Sequence, residues 1–403
     1  MRQINNGIAG LVLLAISLSA QGLGPMTFDS HGRWIGDGKP RFALGLYVSE
    51  EPRHLPDQRG AMLARLDDIA NSPFRLLVDY GNPFGVTASR IEVLDEMHKR
   101  GLSAFISLEG IYPDRWFAQG APLAGRTLES ALGELIDPVK HHPAVLGWYI
   151  CDEYPDPQLV QEASQVVRKA DPGHPILVCS NHRTADKLRG FVDATDILAV
   201  DDYPIPQRPI ERVAQTMSEM ANATNHTMPR WAIIQGCGNY VYNEDVRERG
   251  ARLDPQAIRG DARMPTPREM RCMTFLALTQ DVTGILFYYY RDYQLAYDAK
   301  QRWDAVKTIA EEVNKISPML LAEASDDAVT CDEKAIRFRV TQSGDARYVI
   351  AVNASQEVRS GILTFPSSMQ QAELVTGSGL AYLKDKSLLL TLDGYEAVVV
   401  QVR

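Results

Sequence analysis

Acidic side chains stand directly after the ends of short apolar runs along the chain. Asp152 and Glu153 follow the run Val145–Cys151, and Asp201 and Asp202 follow a second run in the same way. Carboxyl groups in such positions can protonate a leaving oxygen or stabilise a positive charge that develops during a reaction. We therefore take these four acids as the candidate catalytic residues, with Glu153 as the acid.

Amide, acidic and aromatic residues occupy similar positions after the other apolar runs. Amides and acids hydrogen-bond hydroxyl groups, and aromatic rings offer flat apolar faces to a ligand. This mixture is typical of a carbohydrate site. The candidate substrate-binding residues are Asp79, Glu109, Trp116, Asn181, Tyr203, Gln235, Tyr288 and Tyr290.

The charge and cysteine content narrow the class of protein. The 403 residues carry a net charge of −9 without basic runs, which argues against nucleic acid as a partner. The cysteines are scattered without CxxC spacing, and no HExxH motif or phosphate-binding loop is present, so we expect no metal and no cofactor. A metal-dependent barrel enzyme is a weaker alternative, because only His182 falls at a predicted strand end.

Residues 1–20 have the pattern of a signal peptide. Arg2 provides a weak positive start, Ile8–Leu18 forms a short apolar core, and Ser19 and Ala20 are small residues suited to cleavage. The pattern predicts a secreted or periplasmic protein without stable membrane insertion. The alternative is an uncleaved anchor, although the apolar segment is short for a membrane span.

Strands and helices must alternate to position these side chains. Short apolar runs alternate with amphipathic helical segments between Arg41 and about Pro318, which indicates a parallel sheet covered on both faces. Repeated units of this kind favour a closed (β/α)8 barrel. An open doubly wound sheet would be expected to have a glycine-rich phosphate-binding turn after its first strand, and this chain has Ser49–Pro52 there. The predicted strands are Phe42–Val48, Phe74–Tyr80, Leu102–Leu108, Val145–Cys151, Ile176–Cys179, Ile197–Val200, Trp231–Ile234 and Ile285–Tyr290.

The segments on either side of the predicted barrel have other patterns. Residues 26–40 contain Asp37-Gly38-Lys39-Pro40, which predicts a hairpin leading into the first barrel strand. We assign residues 41–320 to the barrel. Residues 322–403 show short runs with a period of two, which predict a C-terminal antiparallel β-sandwich with a supporting role, or more weakly a carbohydrate-binding one. The long segment Tyr240–Pro267 is predicted to be a functional loop.

The fourth predicted strand carries the most information about the site. Functional side chains of such barrels lie at the carboxyl ends of the strands, and successive strand residues point to opposite faces. If the larger residues face the helices, Glu153 points into the barrel and Asp152 points aside. The predicted inward set is Val145, Gly147, Tyr149, Cys151 and Glu153, and the outward set is Leu146, Trp148 and Ile150.

The segment Gly147–Pro155 resembles the "GWY…DEP" fourth strand of glycoside hydrolase barrels related to clan A. Similarity to the same barrels extends over Asp37–Tyr47 and Thr266–Tyr288. This resemblance covers most of the mature chain and implies a barrel glycoside hydrolase with a C-terminal β-sandwich. It also implies that Glu153 is the general acid/base.

The chain departs from this group at the end of the seventh strand. Clan A enzymes place a nucleophilic glutamate there, whereas this chain has Gln235, which we expect to hydrogen-bond the sugar or the catalytic acid. Three alternatives stay open. In the first, another acid is the second catalytic group, and the options are Asp201, Asp202, Glu109 and Asp79. In the second, the substrate supplies its own acetamide beside Asp152-Glu153, as in N-acetylhexosaminidase-type barrels. In the third, the barrel binds carbohydrate without cleaving it.

Overall fold

The computed structural model describes residues 23, 26–49, 57–80, 87–112, 126–238, 263–295, 299–325 and 328–403. The predicted signal peptide 1–20, Trp116 and most of the predicted loop Tyr240–Pro267 lie outside the described residues, as does the side chain of Glu109. Among the helices of the described part, none has the length and apolar character needed to cross a membrane.

A small antiparallel sheet precedes the barrel. It contains β1 (Thr27–Phe28), β2 (Trp34–Gly36) and β3 (Lys39–Arg41). The turn between β2 and β3 is made by Asp37 and Gly38, with φ angles of 52° and 73°. Asp and Gly are the residues that such a left-handed two-residue turn favours, so the hairpin predicted from this sequence forms.

Eight of the described strands close into a parallel barrel in the order β10-β11-β4-β5-β6-β7-β8-β9, which confirms the predicted fold. Each strand is apolar over most of its length because its two faces meet the barrel interior and the surrounding helices. The barrel strands are β4 (Ala43–Val48), β5 (Leu76–Asp79), β6 (Ser103–Ser107), β7 (Val145–Asp152), β8 (Ile176–Ser180), β9 (Ile197–Asp201), β10 (Arg230–Gln235) and β11 (Gly284–Tyr288).

Helices surround the barrel, and several of them begin at a side-chain cap. Asp57 accepts a hydrogen bond from the Gly60 N–H at the first helix, and Thr266 and Glu269 form a reciprocal capping box at another. The described helices are α1 (Gln58–Ala70), α2 (Thr87–Lys99), α3 (Leu128–Ile136), α4 (Pro157–Ala170), α5 (Ala185–Val192), α6 (Arg212–Ala223), α7 (Pro267–Leu278), α8 (Tyr290–Leu295) and α9 (Ala299–Leu320).

Strand β7 does not keep a regular register with its neighbours. The pairing slips by one residue against β6 and again against β8, where Tyr149 and Cys151 face consecutive residues of the partner strand. Leu146 and Tyr149 therefore pack in the barrel interior, whereas Val145 and Cys151 pack in the outer layer. The predicted orientation was wrong at Leu146, Val145 and Cys151, because a strict alternation ignores the extra residue of a bulge.

The C-terminal region folds into two antiparallel sheets, as predicted. Within the described residues, one sheet has the order β12-β14-β15-β20-β17 and the other the order β13-β16-β19-β18. The strands are β12 (Glu323–Ala324), β13 (Thr330–Cys331), β14 (Ile336–Ser343), β15 (Ala346–Asn353), β16 (Arg359–Thr364), β17 (Ala372–Thr376), β18 (Leu380–Lys384), β19 (Ser387–Leu392) and β20 (Ala397–Val402).

Arg271 of α7 joins this β-sandwich to the barrel. Its guanidinium donates to both carboxylate oxygens of Glu312 on α9, at 2.7 and 2.6 Å. It also donates to Glu396 at 3.2 Å and to the carbonyl of Ala397 at 2.9 Å. Because these three charged side chains are largely buried, each depends on the others for its solvation.

We expect Arg271→Met to lower the free energy of unfolding by about 3 kcal/mol, because the buried carboxylate of Glu312 loses its cation and that of Glu396 keeps only the more distant Arg268 at 3.5 Å. Methionine keeps an apolar stem for the packing against Phe275. The matched control is Lys169→Ala, which breaks an exposed ion pair with Glu129 and should cost less than about 1 kcal/mol. Urea unfolding followed by circular dichroism measures both variants, and equal losses would contradict this account of the interface.

Candidate active site

Asp152 reaches the mouth of the barrel at the carboxyl end of β7. The hydroxyl of Tyr149 donates to its Oδ1 at 2.7 Å, and the hydroxyl of Tyr80 donates to its Oδ2 at 3.0 Å. Both tyrosines pack with the interior cluster of the barrel. Asp152 therefore does not point aside as predicted, and its carboxylate is fixed by one hydroxyl on each oxygen.

Glu153 reaches the same mouth through an unusual backbone conformation. Its φ angle is 55°, in the left-handed region that residues with a Cβ seldom adopt. The N–H of Glu153 donates to the carbonyl of Cys179 at 3.0 Å, which holds the strand end against β8. The side-chain amide of Asn181 donates to Oε2 of Glu153 at 3.0 Å.

Asp201 is the third carboxyl group of the site. It ends β9, is 3% exposed, and shares a side-chain hydrogen bond with Glu153. Burial raises the pKa of Asp201 well above its usual range, and the charge and hydrogen bond of Glu153 raise it further. A carboxyl in these surroundings favours its protonated form, so Asp201 is the donor in its bond to Glu153.

Tyrosine rings line the mouth around these acids. The ring of Tyr288 lies 5.5 Å from that of Tyr47 and 5.7 Å from that of Tyr80, measured between centroids. The ring of Tyr288 also stacks on that of Tyr203, with 5.8 Å between centroids, and the centroid of the Tyr289 ring lies 4.5 Å from that of Tyr288. The structure thus brings the predicted residues Tyr203, Tyr288 and Asn181 together with the acids, in a wall of apolar faces and hydroxyl groups.

Asp202 turns away from this group towards α6. Its carboxylate forms ion pairs with Arg183 at 3.0 Å and with Arg212 at 3.4 Å, and it accepts a hydrogen bond from Thr216 at 2.8 Å. The side chain is fully buried among these partners. We therefore assign Asp202 to the packing of β9 against α6 rather than to the chemistry of the mouth.

Asp79 also lies apart from the three acids. Burial raises its pKa, and the opposing charges come from Arg90 and Arg65 on the α2 and α1 side of the sheet. The interior positions of β5 are Leu76 and Val78. The next inward position is therefore Tyr80 and not Asp79, and a period of two counted along this strand could have identified the tyrosine.

Gln235 is a buried amide whose partners are backbone groups. Its Nε2 donates to the carbonyl of Ile205 at 2.7 Å and to that of Cys237 at 3.2 Å, and its Oε1 accepts from the Ile205 N–H at 2.9 Å. The side chain thereby fixes the segment after β9. The predicted hydrogen bond between Gln235 and the catalytic acid is replaced by these contacts.

Tyr290 lies in the outer layer between the barrel and its helices. Its hydroxyl donates to Asp68 of α1 at 2.7 Å, and its ring packs edge-on against Trp303 of α9 at 5.1 Å. The prediction of Tyr290 as a substrate-binding residue was wrong, because the chain turns into α8 directly after β11. Tyr289 takes the inner position instead, within the interior cluster.

Comparison with known proteins agrees with the fold. No protein-family model matches the sequence. No curated protein matches it either. Solved structures do match: the GH42 β-galactosidase Gan42B with a TM-score of 0.58, 10% identity and coverage of 90% of this chain and 98% of that one. An α-amylase from Geobacillus thermoleovorans in complex with acarbose matches with a TM-score of 0.57 and 13% identity, and the match covers 90% of this chain and 98% of that one.

A β-galactosidase from Marinomonas ef1 is similar over a smaller share, with a TM-score of 0.51, 13% identity and coverage of 68% of this chain and 60% of that one. At these identities the similarity shows the fold alone. The chain therefore has a closed (β/α)8 barrel followed by a C-terminal β domain, and its overall fold is similar to that of these solved structures.

The left-handed backbone of Glu153 leads to a stability prediction. Glycine adopts this conformation without the Cβ clash, so Glu153→Gly should be more stable than Glu153→Ala by about 1 kcal/mol. Both variants lack the side chain, so their difference in urea unfolding isolates the backbone. At Glu162, exposed in the middle of α4, the order should reverse and alanine should be the more stable. The same order at both positions would contradict the left-handed assignment.

The raised pKa of Asp201 leads to a second prediction. The folded pKa lies above the unfolded value of about 3.9, so folding takes up a proton at pH values between the two. This contribution to stability is present below the unfolded pKa and is lost as the pH rises through the folded pKa. Thermal unfolding midpoints of wild type should therefore fall relative to those of Asp201→Asn as the pH is raised above 4. Asp304→Asn should show the opposite pH dependence. Neighbouring lysines lower the pKa of Asp304 to about 2, so its contribution to stability is lost as the pH falls towards that value.

Proposed function

We propose that the protein hydrolyses O-glycosidic bonds in an oligo- or polysaccharide, with Glu153 as general acid/base. The observation that carries the proposal is the meeting of Asp152, Glu153 and Asp201 at the carboxyl end of a closed barrel. Enzymes on this fold work at that end of the barrel. Glycoside hydrolysis, in turn, is carried out by carboxyl groups that act as acid, base or nucleophile.

The three acids can take different roles in this reaction. Glu153 lies in the mouth beside its hydrogen-bonded partner Asp201 and protonates the leaving oxygen. Asp152 is oriented by Tyr149 and Tyr80, so it is the carboxylate prepared to face the positive charge that develops at the anomeric carbon. Direct contact between Glu153 and Asp201 leaves no room for a sugar between them, which favours Asp152 as the second group.

The same contacts favour catalysis over binding alone. A binding barrel would suit an acid surrounded by amides and aromatic rings, whereas Glu153 has a second carboxyl in hydrogen-bond contact and a third next to it in sequence. Left-handed backbone at a residue with a Cβ costs energy and concentrates at functional sites. The similar solved structures include α-amylases and β-galactosidases, which supports a carbohydrate substrate.

A substrate-assisted reaction is the second candidate, and the position of Asp152 favours it. Asp152 and Glu153 are adjacent in sequence and both reach the mouth. Asp152 can therefore orient the 2-acetamido group of a substrate while Glu153 protonates the leaving oxygen. The two candidates differ in substrate. Only the second requires an N-acetylhexosaminide. For either substrate, secretion or export to the periplasm through residues 1–20 is part of the proposal.

The test is a screen of aryl glycosides that includes N-acetylhexosaminides, with Glu153→Gln as the variant. We expect kcat to fall by roughly 10²- to 10⁴-fold on cleaved glycosides whose leaving group is weakly acidic, because the amide cannot donate the proton that such a leaving group needs. Asp79→Asn is the matched control, a partly buried acid outside the mouth, and should retain wild-type turnover. Unchanged turnover of every cleaved glycoside by Glu153→Gln would remove Glu153 from the mechanism.

A further inference from the structure

We propose that Asp201 and Glu153 hold one proton between them, and that Asp201 passes this proton to Glu153 for each cleavage. The inference rests on the proposed function, and it assigns Asp201 as a proton-holding residue rather than a group that touches the sugar. Asp201 lies at the end of β9 and contacts Glu153 through a side-chain hydrogen bond. Two carboxyl groups in such contact cannot both ionise without strong repulsion.

The hydrogen-bond donors around the pair determine which acid holds the proton. Asn181 donates to Glu153 at 3.0 Å, which stabilises the carboxylate form of Glu153. Asp201 is 3% exposed, and within the described part of the chain its buried Oδ1 receives no N–H or hydroxyl donor. An ionised carboxylate requires several donors, so the site is built for a neutral Asp201 beside an anionic Glu153.

The remaining charges around Asp201 act in both directions. The carboxylate of Asp152 opposes a second negative charge, and Arg183 favours it. Arg183 is however engaged elsewhere, since its guanidinium lies 3.0 Å from Asp202 and donates to the carbonyl of Asn181 at 2.7 Å. The titratable and charged groups that face Asp201 are Glu153, Asp152, Arg183, Cys179, Tyr47 and Tyr203.

The proton count closes over one turnover. The proton moves from Asp201 to Glu153 along their hydrogen bond, and from Glu153 to the glycosidic oxygen as the bond to the anomeric carbon breaks. The pair is doubly ionised only while the anomeric carbon carries its positive charge, which offsets the repulsion between the two carboxylates. Water supplies hydroxide to the anomeric carbon and returns its proton to the pair. One water is consumed, and Asp201 and Glu153 again hold one proton.

The first test is an infrared titration of the protein without substrate. Wild type should keep a carboxylic acid C=O band of the pair at pH values above the usual range of an aspartate pKa, and Asp201→Asn should lose that band. Asp79→Asn is the control, because it also removes a partly buried acid with a raised pKa but leaves the pair intact. Wild type without this band, or Asp201→Asn with it unchanged, would overturn the proposal. This result does not depend on any turnover, so it stands even where every glycoside proves inert and the proposed function fails.

The second test is the pH dependence of kcat/KM on a cleaved glycoside. Asparagine can still donate a hydrogen bond to Glu153 but cannot pass on a proton. We expect the alkaline limb of Asp201→Asn to move down by about one pH unit or more, with kcat at neutral pH reduced about tenfold and KM nearly unchanged. Asp201→Glu, which keeps a carboxyl group, should restore part of the limb. A uniform loss at all pH values in both variants would indicate a structural role and overturn the proposal.

Discussion

Neighbouring residues on a β-strand point to opposite faces of the sheet, yet Asp152 and Glu153 both reach the mouth of the barrel. Two local departures make this possible. The register of β7 slips against β8 after Tyr149, which turns Asp152 inward towards the two tyrosine hydroxyls. Glu153 then adopts a left-handed φ that keeps its side chain inside as well. The candidate chemistry depends on this short stretch of irregular strand.

Gathering three carboxyl groups in one mouth has an electrostatic cost, and the structure meets it differently at each acid. Asp152 receives hydroxyl donors from Tyr80 and Tyr149. Glu153 receives the amide of Asn181. Asp201, whose buried Oδ1 lacks such a donor within the described residues, has its pKa raised by burial and by Glu153, which favours its protonated form. These different surroundings give chemically similar side chains different roles.

The barrel could be predicted from the sequence because its strands are mostly apolar on both faces, whereas apolar residues recur every three or four positions along its helices. The sequence also located the acids at strand ends. The predicted side-chain orientations were wrong where one extra residue in a strand reverses the faces of its neighbours. A bulge reverses the faces of Val145 and Leu146, and nothing in the residue types marks it. The roles of Gln235 and Tyr290 depend on contacts with segments distant in sequence, Ile205 and Asp68, which no local pattern reveals.

The central claim is that Glu153 delivers a proton to the leaving oxygen, and the dependence on leaving-group pKa tests it most directly. The measurement compares kcat/KM of wild type and Glu153→Gln over a series of aryl glycosides of the preferred sugar. Phenols of low pKa leave without protonation, so we expect a small loss of kcat/KM for dinitrophenyl glycosides and a loss that grows steadily as the phenol becomes more basic. An equal loss across the whole series would contradict the assignment of Glu153 as the acid.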